Sequence, residues 1–175
     1  MMHTGLEIER KYLIRMPDEV ELRAMPGCVV WDVTQMYLRR DPDGGTRRIR
    51  RVCTGGAVKY FFTHKRRIDA LSCEETEGEI SEEEYAALAA QADPERRPVE
   101  KRRLRIPWMD QLLEVDIYRF WSDRATLEIE LEREDQPVQL PDWLEIVRDV
   151  TGEEAYKNFS LARCVPMEDL GEVRK

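Results

Sequence analysis

Glu7, Glu9 and Lys11 stand two residues apart in the stretch Leu6-Glu7-Ile8-Glu9-Arg10-Lys11-Tyr12, with apolar residues at 6, 8 and 12. In an extended chain successive side chains point to opposite faces, so this spacing gathers two carboxylates and an ammonium on one surface. The pattern returns at Arg39, at Arg48 and Arg50, and at Lys59 and Lys65. It returns again at Glu75, Glu77 and Glu79; at Lys101, Arg103 and Arg105; at Glu114 and Asp116; and at Glu128, Glu130 and Glu132. Carboxylates from facing strands suit hard divalent cations, while arginine forks and lysine point charges suit phosphate oxygens. Together they suit a polyanion, held directly by the bases and through cations by the acids. No Ser or Cys is convincingly paired with a histidine for covalent catalysis.

The elements that carry these residues are short and separated by turns at Asp41-Pro42-Asp43-Gly44-Gly45, Thr54-Gly55-Gly56 and Pro107 to Asp110. Eight strands are predicted, over about 4–15, 28–40, 46–53, 57–67, 72–80, 99–107, 111–120 and 125–133. The short turns favour antiparallel neighbours. Ser81 with Glu84 is a capping-box signature opening a helix to Ala92, and a shorter helix is expected near 17–25. Trp143, Leu144, Ile146, Val147, Val150, Tyr156, Phe159 and Leu161 suggest C-terminal helices over about 141–163. This gives an α+β class and one domain over 1–165, with a frayed tail over 166–175.

A half-wet antiparallel sheet would alternate in the same way, with the apolar parity as its core. Two features favour the inverse. Acidic and basic residues segregate by strand, and like charges about 7 Å apart repel by on the order of 2 kcal/mol at an effective dielectric near 20. The C-terminal aromatics also need an apolar surface to cover. A closed eight-stranded antiparallel barrel with a charged lumen, an apolar outer face and a few covering helices meets both demands.

Composition narrows the partners. The 175 residues carry 36 acids and 28 bases, a net charge of −8, which argues against a nucleic-acid binder. No apolar run is long enough for a membrane span, and the N-terminus lacks the apolar core of a signal peptide, so a cytoplasmic location is expected. The four cysteines show no CxxC spacing, which disfavours a zinc cage or disulfide framework. Monomer and homodimer both remain open.

Glu7-Ile8-Glu9-Arg10-Lys11 resembles the E-x-E-x-K signature of the CYTH superfamily, the triphosphate tunnel metalloenzymes. Tyr37-Leu38-Arg39, Arg48-Ile49-Arg50, Thr63-His64-Lys65, Glu75-Thr76-Glu77, Glu100 to Arg103, Leu113 to Asp116, Leu127 to Glu130 and Tyr156-Lys157-Asn158 follow in the family's order. The likeness is strongest to the short bacterial members that hydrolyse inorganic triphosphate. It implies a tunnel enzyme in which Glu7, Glu9, Glu77, Asp116, Glu128 and Glu130 hold Mg²⁺ or Mn²⁺. It implies further that Lys11, Arg39, Arg48, Arg50, Lys65, Lys101, Arg103 and Lys157 bind substrate. Glu7, Glu9, Lys11 and Lys65 form the expected catalytic group. The expected reaction is hydrolysis of tripolyphosphate to pyrophosphate and phosphate. Hydrolysis of thiamine or nucleoside triphosphate, adenylate cyclisation, and polyphosphate binding without turnover are the alternatives. His64 lies on the opposite parity and reads as structural, the four tryptophans read as packing, and Arg96-Arg97-Pro98 matches nothing in the pattern.

Overall fold

A computed structural model describes residues 2–42, 44–69 and 71–172. The chain runs β1 (His3–Arg15), α1 (Glu19–Arg23), β2 (Val29–Tyr37), β3 (Thr46–Thr54), β4 (Ala57–Arg67), β5 (Ser72–Ile80), α2 (Glu82–Ala89), β6 (Val99–Trp108), β7 (Gln111–Tyr118), β8 (Arg124–Leu131), β9 (Ile146–Asp149), a 3₁₀ turn (Glu154–Tyr156) and α3 (Asn158–Leu161). All eight expected strands form. Gly55 and Gly56, at φ 56° and 79°, make the tight β3–β4 hairpin that right-handed strand twist favours. Asp18 caps α1, and Ser81 and Glu84 form the expected box at the start of α2.

The order β5-β4-β3-β2-β6-β7-β8-β1 closes through a β5–β1 pairing, giving an antiparallel eight-stranded barrel. β5 pairs with β1 only as far as Ile8. Beyond that point the same edge of β1 would bury unpaired backbone, and β9 supplies the partner along Tyr12–Ile14. The helix expected from 141 is therefore a strand preceded by irregular chain. Its apolar, β-branched residues satisfy an open sheet edge, which local periodicity cannot reveal. The other C-terminal helix is a single turn.

Ile8, Leu104, Leu113, Val115, Leu127 and Ile129 lie on the outer face of β1 and β6–β8, packed under Leu22 of α1 and Val138, Trp143 and Leu144 of the following segment. The cover is thus mostly irregular chain. A second apolar cluster joins inward-parity Leu13, Tyr37, Val99 and Tyr118 to Trp121, Tyr156, Phe159 and Leu161, and plugs one end of the lumen. The tail is tied down through at least Gly171. Trp121 Nε1 donates to the Pro166 carbonyl (3.1 Å), Arg124 to that of Glu168 (2.7 Å) and Arg15 to that of Leu170 (3.0 Å).

Candidate active site

Strand register sets the site. Glu9 lies opposite Glu130 and Lys11 opposite Glu128 across β1 and β8. Glu114 lies opposite Glu128 across β7 and β8, and Arg103 opposite Asp116 across β6 and β7. Pairing keeps directly opposed residues on the same face, so the charged parity of every strand turns into the barrel. There Arg103 of β6 reaches Glu128 of β8 at 2.6 Å, over the intervening β7.

Two cavities open from the lumen. The first, about 350 Å³, is entered between the start of β5 and the C-terminal segment, and is lined by Lys11, Arg40, Arg67, Glu9, Glu128 and Lys157 among others. The second, about 630 Å³, opens at the opposite side beside Trp31, Arg50, Phe61, Glu77, Glu114 and Glu130. Glu7, Arg48 and Arg103 line both, so these three mark where the two mouths meet.

Of the expected residues, Glu7, Glu9, Lys11, Arg48, Lys65, Arg103, Glu128 and Lys157 line the first cavity, and Arg50, Glu77 and Glu130 line the second. Three lie elsewhere. Arg39 is exposed just beyond β2, and its neighbour Arg40 lines the cavity instead. Lys101 and Asp116 are buried behind the cavities and paired at 2.6 Å. Asp116 is fully buried, and Arg103 donates to both its oxygens, at 2.7 and 2.8 Å. It lines neither cavity, where the expected direct or water-mediated ligand would stand. Trp31 also departs from a packing role: it lines the second mouth and stacks on Arg105 at 4.3 Å. Arg40 carries no parity signal that sets it in the site, whereas Cys73 shares the parity of Glu75, Glu77 and Glu79 and goes unmarked only because it bears no charge. Cys73 donates to Glu7 Oε2 at 3.1 Å.

The electrostatics divide the carboxylates into two kinds. Burial resists ionisation of Glu7, but Lys65, which donates to it, overrides this and holds it at about 2. Burial likewise opposes Glu128, and Lys11 and Arg103 hold it well below the carboxylate range. Glu77 is held low against burial by Arg50, at 2.6 Å, and by Thr63. Glu9 behaves oppositely: burial, then Glu128 and Glu7, push it up to about 7. Glu130 is raised by burial and by Glu7, Glu114 and Glu75. Glu9 and Glu130, face to face, are therefore short of positive charge.

That deficit, in an all-oxygen donor set, fits a hard divalent cation. Among the described residues no three acidic, histidine or cysteine side chains already converge as a ligand set.

The deficit also predicts a pH dependence. Glu9 is raised from 4.5 to about 7 on folding, so its contribution to stability is intact below about 4.5 and is lost as pH rises through 7. Glu9→Gln is expected to stabilise the metal-free protein at pH 8 by on the order of 3 kcal/mol, seen as a raised melting temperature, and to leave it unchanged at pH 4. Thermal melts in chelator at the two pH values check this.

No family model matches the chain, and no curated protein does. Solved structures do. The inorganic triphosphatase NE1496 superposes with a TM-score of 0.57 at 29% identity, over 92% of this chain and 97% of that one. The closed eight-stranded barrel fits the CYTH fold. The PH1819 and PH1012 proteins of Pyrococcus horikoshii OT3 share this chain's fold, with TM-scores of 0.57 and 0.52 at 22% and 20% identity; each match covers 74% of this chain and 80% of theirs. Among the described residues no helix is long and apolar enough to cross a membrane.

Proposed function

We propose that this chain is a CYTH-type, divalent-metal-dependent triphosphatase that hydrolyses inorganic triphosphate to pyrophosphate and phosphate. The observation that carries the reading is the lumen itself: Lys11, Arg48, Lys65 and Arg103 surround a cavity that also holds Glu7, Glu9 and Glu128. Pure anion binding would need the bases and be weakened by the acids. The likeness to NE1496, an inorganic triphosphatase, supports the same reaction class.

Lys11, Arg48, Arg50, Lys65 and Arg103 bind and orient the phosphate oxygens and take up the charge that develops as the bridging P–O bond breaks. Lys157 meets the anion at the first mouth. Glu7, Glu9, Glu128 and Glu130 would hold Mg²⁺ or Mn²⁺, with waters and substrate oxygens completing the shell. Such a cation neutralises phosphate charge and lowers the pKa of a bound water. Asp116 and Lys101 work one layer back, fixing the Arg103 guanidinium from behind.

The test is phosphate release from tripolyphosphate, ATP and thiamine triphosphate, each with Mg²⁺ and with Mn²⁺. Preferred turnover of tripolyphosphate is the expected result. Preference for an organic triphosphate, or cyclic AMP appearing with pyrophosphate, would reassign the substrate. Tight binding without turnover under either metal would make the barrel a binding module.

A further inference from the structure

The first mouth continues outward into a group of arginines that the lumen reaction does not use. Phe159 lines that mouth, and two guanidiniums lie against its ring: Arg96 at 3.3 Å from the centroid and Arg40 at 4.6 Å. Arg96 also donates to the Phe159 carbonyl and sits 3.4 Å from Asp93. Arg163 follows Ala162, whose carbonyl accepts from the Arg97 amide at 2.7 Å, and with Arg40 it opposes the Arg96 charge. Arg97 joins the rim through that amide.

Glu153 and Glu154 of the rim are already matched, the first to Arg148 and the second to Arg67 and Lys157. Among the described residues no acidic side chain pairs with Arg40, Arg97 or Arg163. Clustered like charges cost free energy unless an anion answers them. That a chain with a net charge of −8 keeps them together beside a mouth lined by Lys11, Arg48, Lys65 and Lys157 points to a ligand.

We propose that Arg40 and Arg96, against the Phe159 ring, and Arg163 beside them form an outer anion site for the trailing phosphates of a linear polyphosphate whose leading end lies in the lumen. The inference rests on the triphosphatase reading and extends it to chains longer than three phosphates. Flexible, singly charged phosphate units suit guanidinium forks.

Two measurements test it. In the first, calorimetry in EDTA follows binding of a linear polyphosphate of about ten phosphates, and of tripolyphosphate, to the full chain and to Arg96→Gln/Arg163→Gln. The expected result is at least about tenfold weaker binding of the long chain by the variant, with a loss of about twofold or less for tripolyphosphate. Equal losses for both, or none, would overturn the site. A ten-nucleotide single-stranded DNA binding the wild type as tightly as polyphosphate would also overturn it, since any polyanion would then do. In the second, the ratio of kcat/KM for the long chain to that for tripolyphosphate falls by the same factor in the variant. Absence of turnover by the wild type would sink the triphosphatase reading, while the calorimetry still judges the arginine site.

Discussion

Glu7→Gln is expected to lower metal-dependent release of phosphate from tripolyphosphate by about 10²–10³-fold in kcat, with the barrel still folded. Glu7 is common to both cavities and accepts from Lys65 and Cys73. Glutamine keeps the volume and the acceptor oxygen but removes the charge a divalent cation needs. Lys65 retains Glu75 at 2.7 Å, so no buried ammonium is orphaned and the melting temperature should move by only a few degrees. Metal-free binding of tripolyphosphate should hold or tighten, because one repelling charge has gone. Turnover at the wild-type rate would remove Glu7 from the reaction. Loss of turnover with loss of the near-ultraviolet dichroism would instead make it a folding residue.

Much of this was legible because strand parity is written in the sequence at single-residue resolution. Glu7, Glu9, Lys11, Arg48, Arg50, Lys65, Arg103 and Glu128 converge as their alternation requires. What was not legible depends on distance along the barrel axis. Lys101 and Arg103 share a face, yet one is sealed behind the cavity and the other lines it. Alternation gives the side of the sheet and nothing about depth. Arg39 keeps the parity of β2, but the strand ends at Tyr37 and the chain turns, so Arg40 faces the mouth instead. At the C-terminus, Ile146 and Val147 form β9 because β5 diverges from β1 at Ile8, a long-range event invisible to a local window. The inward-facing Leu13, Tyr37, Val99 and Tyr118 follow the charged parity but plug the lumen, so the lumen is charged along only part of its length.

The depth of Asp116 leads to the second large effect. Asp116→Asn leaves Lys101 and Arg103 buried with one anion fewer, and breaking a buried pair this way costs about 3–5 kcal/mol, or roughly 10 °C in melting temperature. The loss should depend on pH. Burial, then Arg103, already lower Lys101 to about 8 with Asp116 present. Without Asp116 it falls further below its unfolded value of 10.5. The unfolded chain then binds the extra proton across that window, so the variant gains stability as pH rises from 7 to 10. Adding Lys101→Met removes the orphaned ammonium and should restore most of the stability. It should not restore kcat, because Arg103 still lacks the carboxylate that fixes its fork beside Glu128. Were Asp116 a metal ligand, the signature would differ: a raised metal requirement for half-maximal rate, with kcat recovered at saturating Mg²⁺ or Mn²⁺. A metal titration of Asp116→Asn and of the double variant, read beside their melting curves, separates the two roles. Full rescue by excess metal would return Asp116 to the ligand set and leave Arg103 to be oriented by Glu114 and Glu128 alone.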